Sequence, residues 1–244
     1  MLSDMDCILL HGWGVTHRVW QGFVAKFNGF DNVLMPCLYD ISKKSKDKGF
    51  GSIADTLSRI IKKDSVVIAW SIGGLIALRL MPLTKKIKAV IFIASTPCFL
   101  NKEEWPNAIQ KNKLDELTKR FSEDTKSALN NFSGLVAAGD PAPLETNKYI
   151  RKNLAKETEK EILSCWLREM GADDQRKKFM EIEIPSNMIL GRNDVLIKHK
   201  IQNQMKALNP NTQISIVENC GHAPFISKPT ETYDLMHHFL NEKV

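Results

Sequence analysis

The most informative segment of the chain reads Val66-Val67-Ile68-Ala69-Trp70-Ser71-Ile72-Gly73-Gly74-Leu75. An apolar run leads directly into a serine and then into a helix-like pattern, with small residues two positions before and after the serine. This is the nucleophile-elbow pattern G-x-S-x-G, with Ala69 in place of the first glycine. Larger flanking side chains would clash in so tight and strained a turn. The segment predicts a strand, Ser71 and a helix, with Ser71 at the carboxyl end of a sheet.

Strand-like and helix-like segments alternate on both sides of this elbow. Continuous apolar runs of this length are typical of parallel strands buried on both faces. We therefore predict an α/β fold with a mostly parallel, doubly wound sheet. The other predicted strands are Cys7–Leu10, Val33–Met35, Ala89–Ala94, Met188–Leu190 and Ile214–Val217, and the predicted helices include Ile53–Lys62, Leu75–Leu80 and Ile201–Leu208.

The alternation stops between residues 97 and 181. This region contains charged, helix-periodic stretches and no convincing strand, punctuated by glycine and proline. We expect a core of residues 1–96 and 182–244, with residues 97–181 forming a helical cap, or lid, over one end of the sheet. The helix-periodic stretches are Leu114–Phe121, Asp124–Phe132, Asn147–Leu163 and Trp166–Met170.

Composition narrows the class of protein. The chain has 244 residues, a net charge of +6 and 25% charged residues, which suits one globular α/β domain. No nucleic-acid motif, secretory signal or membrane-length apolar run is present. The five cysteines include no CxxC pair, which favours a reducing compartment and argues against a zinc site. We expect a soluble, cytoplasmic monomer, with the lysine-rich run at residues 43–48 in a solvated loop.

A serine nucleophile needs a base, and the base needs a carboxylate. His222 follows the last predicted strand in Gly221-His222-Ala223-Pro224, and Asp194 follows the strand Met188–Leu190. The chain order Ser71, Asp194, His222 is the one found in α/β-hydrolases. We predict that these three residues form a catalytic triad.

The segment His11-Gly12-Trp13-Gly14 follows the first predicted strand. The backbone N–H groups of Trp13 and Ile72 are predicted to form an oxyanion hole, and His11 is predicted to brace the loop. The triad and the oxyanion hole together predict ester hydrolysis through an acyl-enzyme on Ser71. This reaction requires neither a metal nor an organic cofactor.

Four groups of residues make the chain resemble the pimeloyl-[acyl-carrier protein] methyl ester carboxylesterases of biotin synthesis. They are His11-Gly12-Trp13-Gly14 with Val19-Trp20, Trp70-Ser71-Ile72-Gly73-Gly74, Ala94-Ser95-Thr96-Pro97-Cys98-Phe99 with Glu104-Trp105-Pro106, and Gly221-His222-Ala223-Pro224-Phe225. The resemblance implies the α/β-hydrolase fold and cleavage of a methyl ester from pimeloyl-acyl carrier protein. It also implies a substrate-binding set of Trp13, Ser71, Ile72, Phe132, Ser133, Gly134, Leu135, Val136 and His222.

The resemblance further implies an acyl carrier protein as partner. Lys148, Lys152, Lys156 and Lys160 recur every four residues, and Arg151 lies beside them. Lys148, Arg151, Lys152 and Lys156 are therefore candidate contacts for an acidic carrier, and a solvated lysine face explains the pattern equally well. Two other functions stay open: a general short-chain carboxylesterase or thioesterase without a carrier, and a non-catalytic binding protein on the same fold.

Overall fold

Six parallel strands form a single sheet in the computed structural model, which describes residues 2–244. Each strand contains or overlaps a run that the sequence predicted, so the predicted α/β sheet is confirmed. The strands are β1 (Asp6–Leu10), β2 (Asn32–Leu34), β3 (Ser65–Trp70), β4 (Ile87–Ile93), β5 (Ser186–Gly191) and β6 (Gln213–Val217).

The strand order is β2-β1-β3-β4-β5-β6. The chain moves outward from β1 to β2, then returns across β1 to β3 and continues in the other direction. The switch point therefore lies between β1 and β3, which pair from Asp6 with Ser65 to Leu10 with Ala69. In open parallel sheets, the crevice outside the carboxyl ends at such a point is the usual ligand site.

Helices cover both faces of the sheet, which explains why the strands are apolar throughout. All six residues of β3 are buried, and so are all six of β5. The helices that flank the sheet are α1 (Gln21–Val24), α2 (Leu38–Lys44), α3 (Phe50–Ile60), α4 (Gly73–Leu80), and, after β5, α10 (Gln202–Leu208), α11 (Pro224–Ser227) and α12 (Pro229–Lys243).

Between β4 and β5 the chain forms five helices. They are α5 (Lys111–Glu123), α6 (Thr125–Ala137), α7 (Pro143–Lys152), α8 (Lys160–Ala172) and α9 (Arg176–Met180). They pack onto the sheet layer through specific contacts: Arg79 of α4 holds Asp173 with two hydrogen bonds of 2.8 and 3.2 Å, and Trp166 stacks on Tyr39 with ring centroids 4.6 Å apart.

The predicted continuous helix over Asn147–Leu163 is wrong. α7 ends at Lys152, and the chain then pairs with the loop after β1: Thr16 N–H donates to Asn153 O, and Ala155 N–H donates to Gly14 O. These bonds hold the backbone in an extended bridge between Val15 and Leu154. The helical periodicity of the sequence continues through this segment. The backbone is nevertheless extended there, because its hydrogen bonds go to the loop after β1 and not to a helical turn.

The predicted loop at residues 43–48 is also partly wrong, because Lys43 and Lys44 belong to α2. Lys48 Nζ donates to the carbonyls of Lys43 and Ser45 at 3.0 Å each, which satisfies backbone groups at the end of this helix. Lys43 reaches Glu159 at 2.7 Å. Within residues 2–244, no helix has the length and apolar character needed to cross a membrane.

Candidate active site

Ser71 lies at the turn between β3 and α4, with φ at +55°. That left-handed conformation is strained for a serine and is the one expected of a nucleophile elbow. Small neighbours make it possible: a Cβ on Gly73 would lie 2.8 Å from Leu10 O, and a Cβ on Gly74 would collide with Ser95 Oγ. The hydroxyl of Ser95 also donates to Ser71 O at 2.7 Å and so fastens the turn to the end of β4.

Asp194 and His222 form a buried hydrogen-bonded pair at the ends of β5 and β6. His222 Nδ1 lies 2.8 Å from Asp194 Oδ2, and the side chains are 1% and 0% exposed. The other oxygen of Asp194 accepts the N–H groups of Leu196 and Ile197 at 2.8 and 3.0 Å. Because a carboxylate only accepts hydrogen bonds, Nδ1 of His222 donates to Asp194, and in the neutral imidazole Nε2 is then the acceptor.

His222 Nε2 is buried and has no hydrogen-bond partner within residues 2–244. Both His222 and Ser71 lie beside Trp70, which precedes Ser71 in the chain and whose indole N–H donates to His222 O at 2.8 Å. Catalytic hydrogen bonds often tighten only when substrate is bound, so an unpaired Nε2 is compatible with a role as base.

The loop after β1 lies against the serine turn. A Cβ on Gly12 would lie 3.2 Å from Ser71 Cβ, so only glycine allows this approach without displacement. Within residues 2–244, the backbone N–H groups of Trp13 and Ile72 donate no hydrogen bond. An oxyanion hole needs such unpaired donors, and the assignment of Trp13 and Ile72 to one stays a prediction.

His11 braces this loop, as predicted. Its Nε2 accepts the N–H of Leu38 at 3.2 Å, and its Nδ1 lies 2.9 Å from Gly12 O. Since Nε2 accepts, Nδ1 must donate, and the ring is neutral. Burial lowers the pKa of His11 to about 4. His11 is therefore a structural residue that ties the loop to α2.

Phe132 and Trp13 join the cap helices to this loop. Their rings meet edge to face with centroids 4.9 Å apart, and the Trp13 indole N–H donates to Leu163 O of α8 at 3.0 Å. Trp13 is therefore 2% exposed and Phe132 is 7% exposed. This packing places Phe132 against Trp13, and its contact with substrate stays a prediction.

The four residues after Phe132 do not continue one wall. Ser133 turns toward α7, where its hydroxyl bonds Asn147 Oδ1 at 2.8 Å, and a Cβ on Gly134 would meet open space. Leu135 lines a surface cavity, and Val136 O accepts the N–H of His222 at 3.4 Å. Successive helical residues are rotated by 100°, so four of them cannot share a face.

The cavity that Leu135 lines has a volume of about 480 Å³. It lies between α5, α6, α8 and the loop after Asp194, to which Val195 and Leu196 belong. Its lining contains eight apolar residues, two amides (Gln110 and Asn131) and four exposed charged residues, which we call the cavity rim. The apolar residues are Ala108, Ile109, Leu114, Leu117, Leu135, Met170, Val195 and Leu196, and the charged residues are Lys113, Glu116, Arg120 and Lys198.

The candidate carrier contacts divide into two groups. Lys148, Arg151 and Lys152 are exposed on α7, whereas Lys156 lies beyond that helix, in the segment before α8. Lys160 begins α8 and donates to Ser122 O at 3.1 Å. The predicted four-residue stripe therefore does not form one helical face, because the chain leaves the helix after Lys152.

Sequence reasoning did not identify three residues that support the site: Ser95, Trp70 and Asp140. Ser95 could have been found, because it follows a predicted strand at the same end of the sheet as Ser71. Asp140 carries no such signal, since it lies after a cap helix, yet its Oδ1 accepts the N–H of Gly221 at 2.6 Å. No group of three His, Cys, Asp or Glu residues that could hold a metal occurs within residues 2–244.

A family model described as "Alpha/beta hydrolase family" matches residues 7–235. The chain belongs to the alpha/beta hydrolase family. Among curated members, the pimeloyl-[acyl-carrier protein] methyl ester esterase of Nitrosomonas europaea is 27% identical, over 93% of this chain and 92% of its own length. The protein of the same name from Yersinia pseudotuberculosis is 26% identical, over 98% and 95%.

Solved structures of other proteins have the same alpha/beta hydrolase fold as this chain. A hydrolase from Oleispira antarctica superimposes with a TM-score of 0.83 at 16% identity, over 98% of this chain and 91% of that one. At this identity the likeness shows the fold, and the chemistry has to be argued from the residues.

Proposed function

We propose that this alpha/beta hydrolase is a serine esterase that hydrolyses the methyl ester of pimeloyl-acyl carrier protein. Ser71 is the nucleophile, His222 the general base and Asp194 the carboxylate that orients the base. The observation that carries the proposal is the buried Asp194–His222 pair, whose Nε2 has no hydrogen-bond partner within residues 2–244, together with the strained Ser71 at the same edge of the parallel sheet.

Acylation follows from this arrangement. His222 Nε2 takes the proton of the Ser71 hydroxyl while Oγ attacks the ester carbonyl, and Asp194 stabilises the imidazolium that forms. The carbonyl oxygen becomes an anion and accepts the N–H groups of Trp13 and Ile72, each contributing ~3 kcal/mol to transition-state stabilisation. His222 then protonates the departing methoxide, so methanol leaves and an acyl-enzyme remains.

Deacylation reuses the same groups. His222 removes a proton from water, the hydroxide attacks the acyl carbonyl, and Ser71 Oγ leaves with the proton that His222 returns. The products are the free carboxylate on the carrier-bound chain and the original enzyme. The near-complete burial of all three side chains excludes bulk water and strengthens each electrostatic contact.

The choice of substrate rests on the names of the relatives and on the cavity beside Asp194. The cavity combines apolar lining residues with a rim of net positive charge, which suits an apolar chain attached to an acidic group. Residues 97–181 would then serve as a lid, because α5, α6 and α8 supply most of its lining.

The carrier could approach over either of two basic surfaces. The first is α7 with Lys148, Arg151 and Lys152, together with Lys156. The second is the cavity rim with Lys113, Arg120 and Lys198. Glu116 neutralises part of the rim, since it lies 2.6 Å from Arg120 and 3.6 Å from Lys113. We propose the α7 surface as the contact and the rim as the rival surface.

The function is tested with purified wild type and Ser71→Ala, assayed on methyl pimeloyl-acyl carrier protein and on p-nitrophenyl butyrate. We expect the wild type to cleave both esters and Ser71→Ala to cleave neither. Cleavage of the small ester alone by the wild type would leave a general esterase and remove the carrier-bound substrate. A wild type that cleaves neither and resists a fluorophosphonate probe would be a non-catalytic binding protein.

The carrier surface is tested by two matched double variants, Lys148→Glu with Lys152→Glu and Lys113→Glu with Lys198→Glu. We expect the first pair to raise KM for the carrier-bound ester and to leave p-nitrophenyl butyrate unaffected, since reversed charges repel an acidic partner. An effect confined to the second pair would move the carrier to the cavity rim.

A further inference from the structure

Asp140 is a buried carboxylate outside the proposed triad. It lies three residues beyond the end of α6, directly after Gly139, which has a φ of +88°. The residue is 8% exposed. Its Oδ1 accepts the Gly221 N–H at 2.6 Å, and its Oδ2 is buried without a hydrogen-bond partner within residues 2–244.

Such a group is expensive to bury. A carboxylate loses much of its hydration in the interior, and one hydrogen bond compensates only part of that loss. An aspartate that served stability alone would be expected to satisfy both oxygens. Incompletely satisfied buried groups call for another explanation, and function is a frequent one.

The hydrogen bond acts on the backbone next to His222. Gly221 directly precedes His222, and a Cβ at position 221 would collide with Ala138 O, so the two segments are in close contact. One further bond joins the same segments, since His222 N–H donates to Val136 O at 3.4 Å, and another ties Gly139 O to Asn193 Nδ2 of the turn after β5 at 3.2 Å. The bond from Asp140 is the shortest of the three and involves a charged acceptor.

We propose that Asp140 is a positioning residue that fixes the Gly221–His222 peptide and thereby the orientation of the His222 ring. The inference rests on the proposed function, in which His222 is the base. Because Asp140 follows α6, which carries Phe132 and Leu135, it also connects the substrate-facing helix to the base. Displacement of this helix moves the peptide to which the imidazole is attached.

The test compares Asp140→Ala and Asp140→Asn with a matched control, Asp124→Ala. Asp124 is at the other end of α6, is exposed, and accepts the Ser127 N–H at 2.9 Å, so its removal also deletes one backbone hydrogen bond. On p-nitrophenyl butyrate we expect Asp140→Ala to lower kcat roughly tenfold to a hundredfold with KM within twofold, because misplaced catalytic groups lose rate rather than binding. Asp140→Asn keeps an acceptor and should retain kcat within about threefold.

The control should lower the melting temperature and leave kcat unchanged, which separates positioning from helix stability. Equal kcat values for Asp140→Ala and Asp124→Ala would overturn the proposal. So would a loss in Asp140→Asn as large as in Asp140→Ala, since charge rather than the hydrogen bond would then be responsible. Should the alanine variant fail to fold, Asp140→Glu takes its place: the displaced carboxylate should lower kcat at least tenfold, and full activity would contradict the inference.

A second measurement does not depend on turnover. The proton on His222 Nδ1, shared with Asp194, should give a downfield NMR resonance in the wild type and in Asp140→Asn. We expect it to be broadened or lost in Asp140→Ala and retained in Asp124→Ala. A wild type without esterase activity would refute the proposed function, and this resonance would still decide whether Asp140 positions the ring.

Discussion

The strand ends that carry Ser71, Asp194 and His222, which we call the crevice, differ from the cap helices α5–α9 in how closely their side chains are held. In the crevice, Ser71, Asp194 and His222 are 6%, 5% and 1% exposed, and backbone groups of neighbouring strands hold the turns that carry them. On the cap, Leu135 and Leu144 are 41% and 83% exposed. The three crevice residues are almost fully buried, whereas the cap presents apolar side chains on its surface.

This difference in burial reflects how side chains are positioned in the two regions. Parallel strands deliver their carboxyl ends to one edge, so a residue just after a strand is placed by the sheet itself. A cap residue is placed by the rotation of its helix and by the neighbour on which that helix packs. We expect substitutions in the crevice to lower kcat and substitutions on the cap surface to alter KM.

The largest effect should follow from Asp194→Asn. The amide cannot hold the Nδ1–H tautomer of His222 as a carboxylate does, so we expect kcat on p-nitrophenyl butyrate to fall roughly 10,000-fold. Glu218→Gln is the matched control, because Glu218 follows β6, is exposed, and pairs with Arg192 at 2.7 Å. It should keep full activity. A kcat for Asp194→Asn within tenfold of wild type would remove Asp194 from the triad.

The same substitution at two glycines should change stability in opposite directions. Gly221→Ala places a Cβ against Ala138 O, and we expect the free energy of unfolding to fall by roughly 2 kcal/mol or more. Gly134→Ala on α6 meets open space and should raise it by up to about 1 kcal/mol, because alanine favours the helix. Urea denaturation measures both, and a stabilising Gly221→Ala would contradict the close packing of cap and crevice.

Acid should lower the free energy of unfolding through His11, which is buried in the loop after β1. Residues 97–181 contain no histidine, so they contribute no such effect. Burial lowers the His11 pKa from 6.5 to about 4, so the unfolded chain binds a proton that the folded chain does not between these values. Stability is therefore lost as pH falls from 6.5 toward 4, by at most roughly 3 kcal/mol in total. In His11→Gln the dependence of unfolding free energy on pH should be flatter in this window. An unchanged slope would mean that His11 is protonated in the folded protein.

The smallest effect should follow from Leu135→Ala, which removes apolar lining from the cavity. We expect KM for the carrier-bound ester to rise about fivefold, in line with ~1 kcal/mol of lost apolar contact, while kcat is retained. Leu83→Ala is the control, because this side chain is 47% exposed, lies just beyond α4 outside the cavity lining and the α7 surface, and should leave both constants unchanged. Equal KM values for the two variants would exclude the cavity from the substrate path.

The six strands and the elbow at Ser71 could be predicted because their signals are local. A buried parallel strand needs a continuous apolar run, and an elbow needs small residues around the serine. The break after Lys152 could not be predicted, since it depends on hydrogen bonds from residues 153 and 155 to the loop after β1. The extension of α2 to Lys44 could not be predicted either. Its lysine-rich end resembles a loop in the sequence, and the contacts with Lys48 and Glu159 that stabilise it form only in the folded chain.

Local sequence was sufficient for the order Ser71, Asp194, His222 and for the strand end that carries each residue, because backbone sterics and apolar periodicity act over a few residues. Only the folded chain decided that Ser133 turns away while Leu135 faces the cavity, and that Asp140 reaches Gly221 across 81 residues of sequence. Those contacts depend on how helices rotate and pack against distant segments, and no neighbouring residue in the chain specifies that.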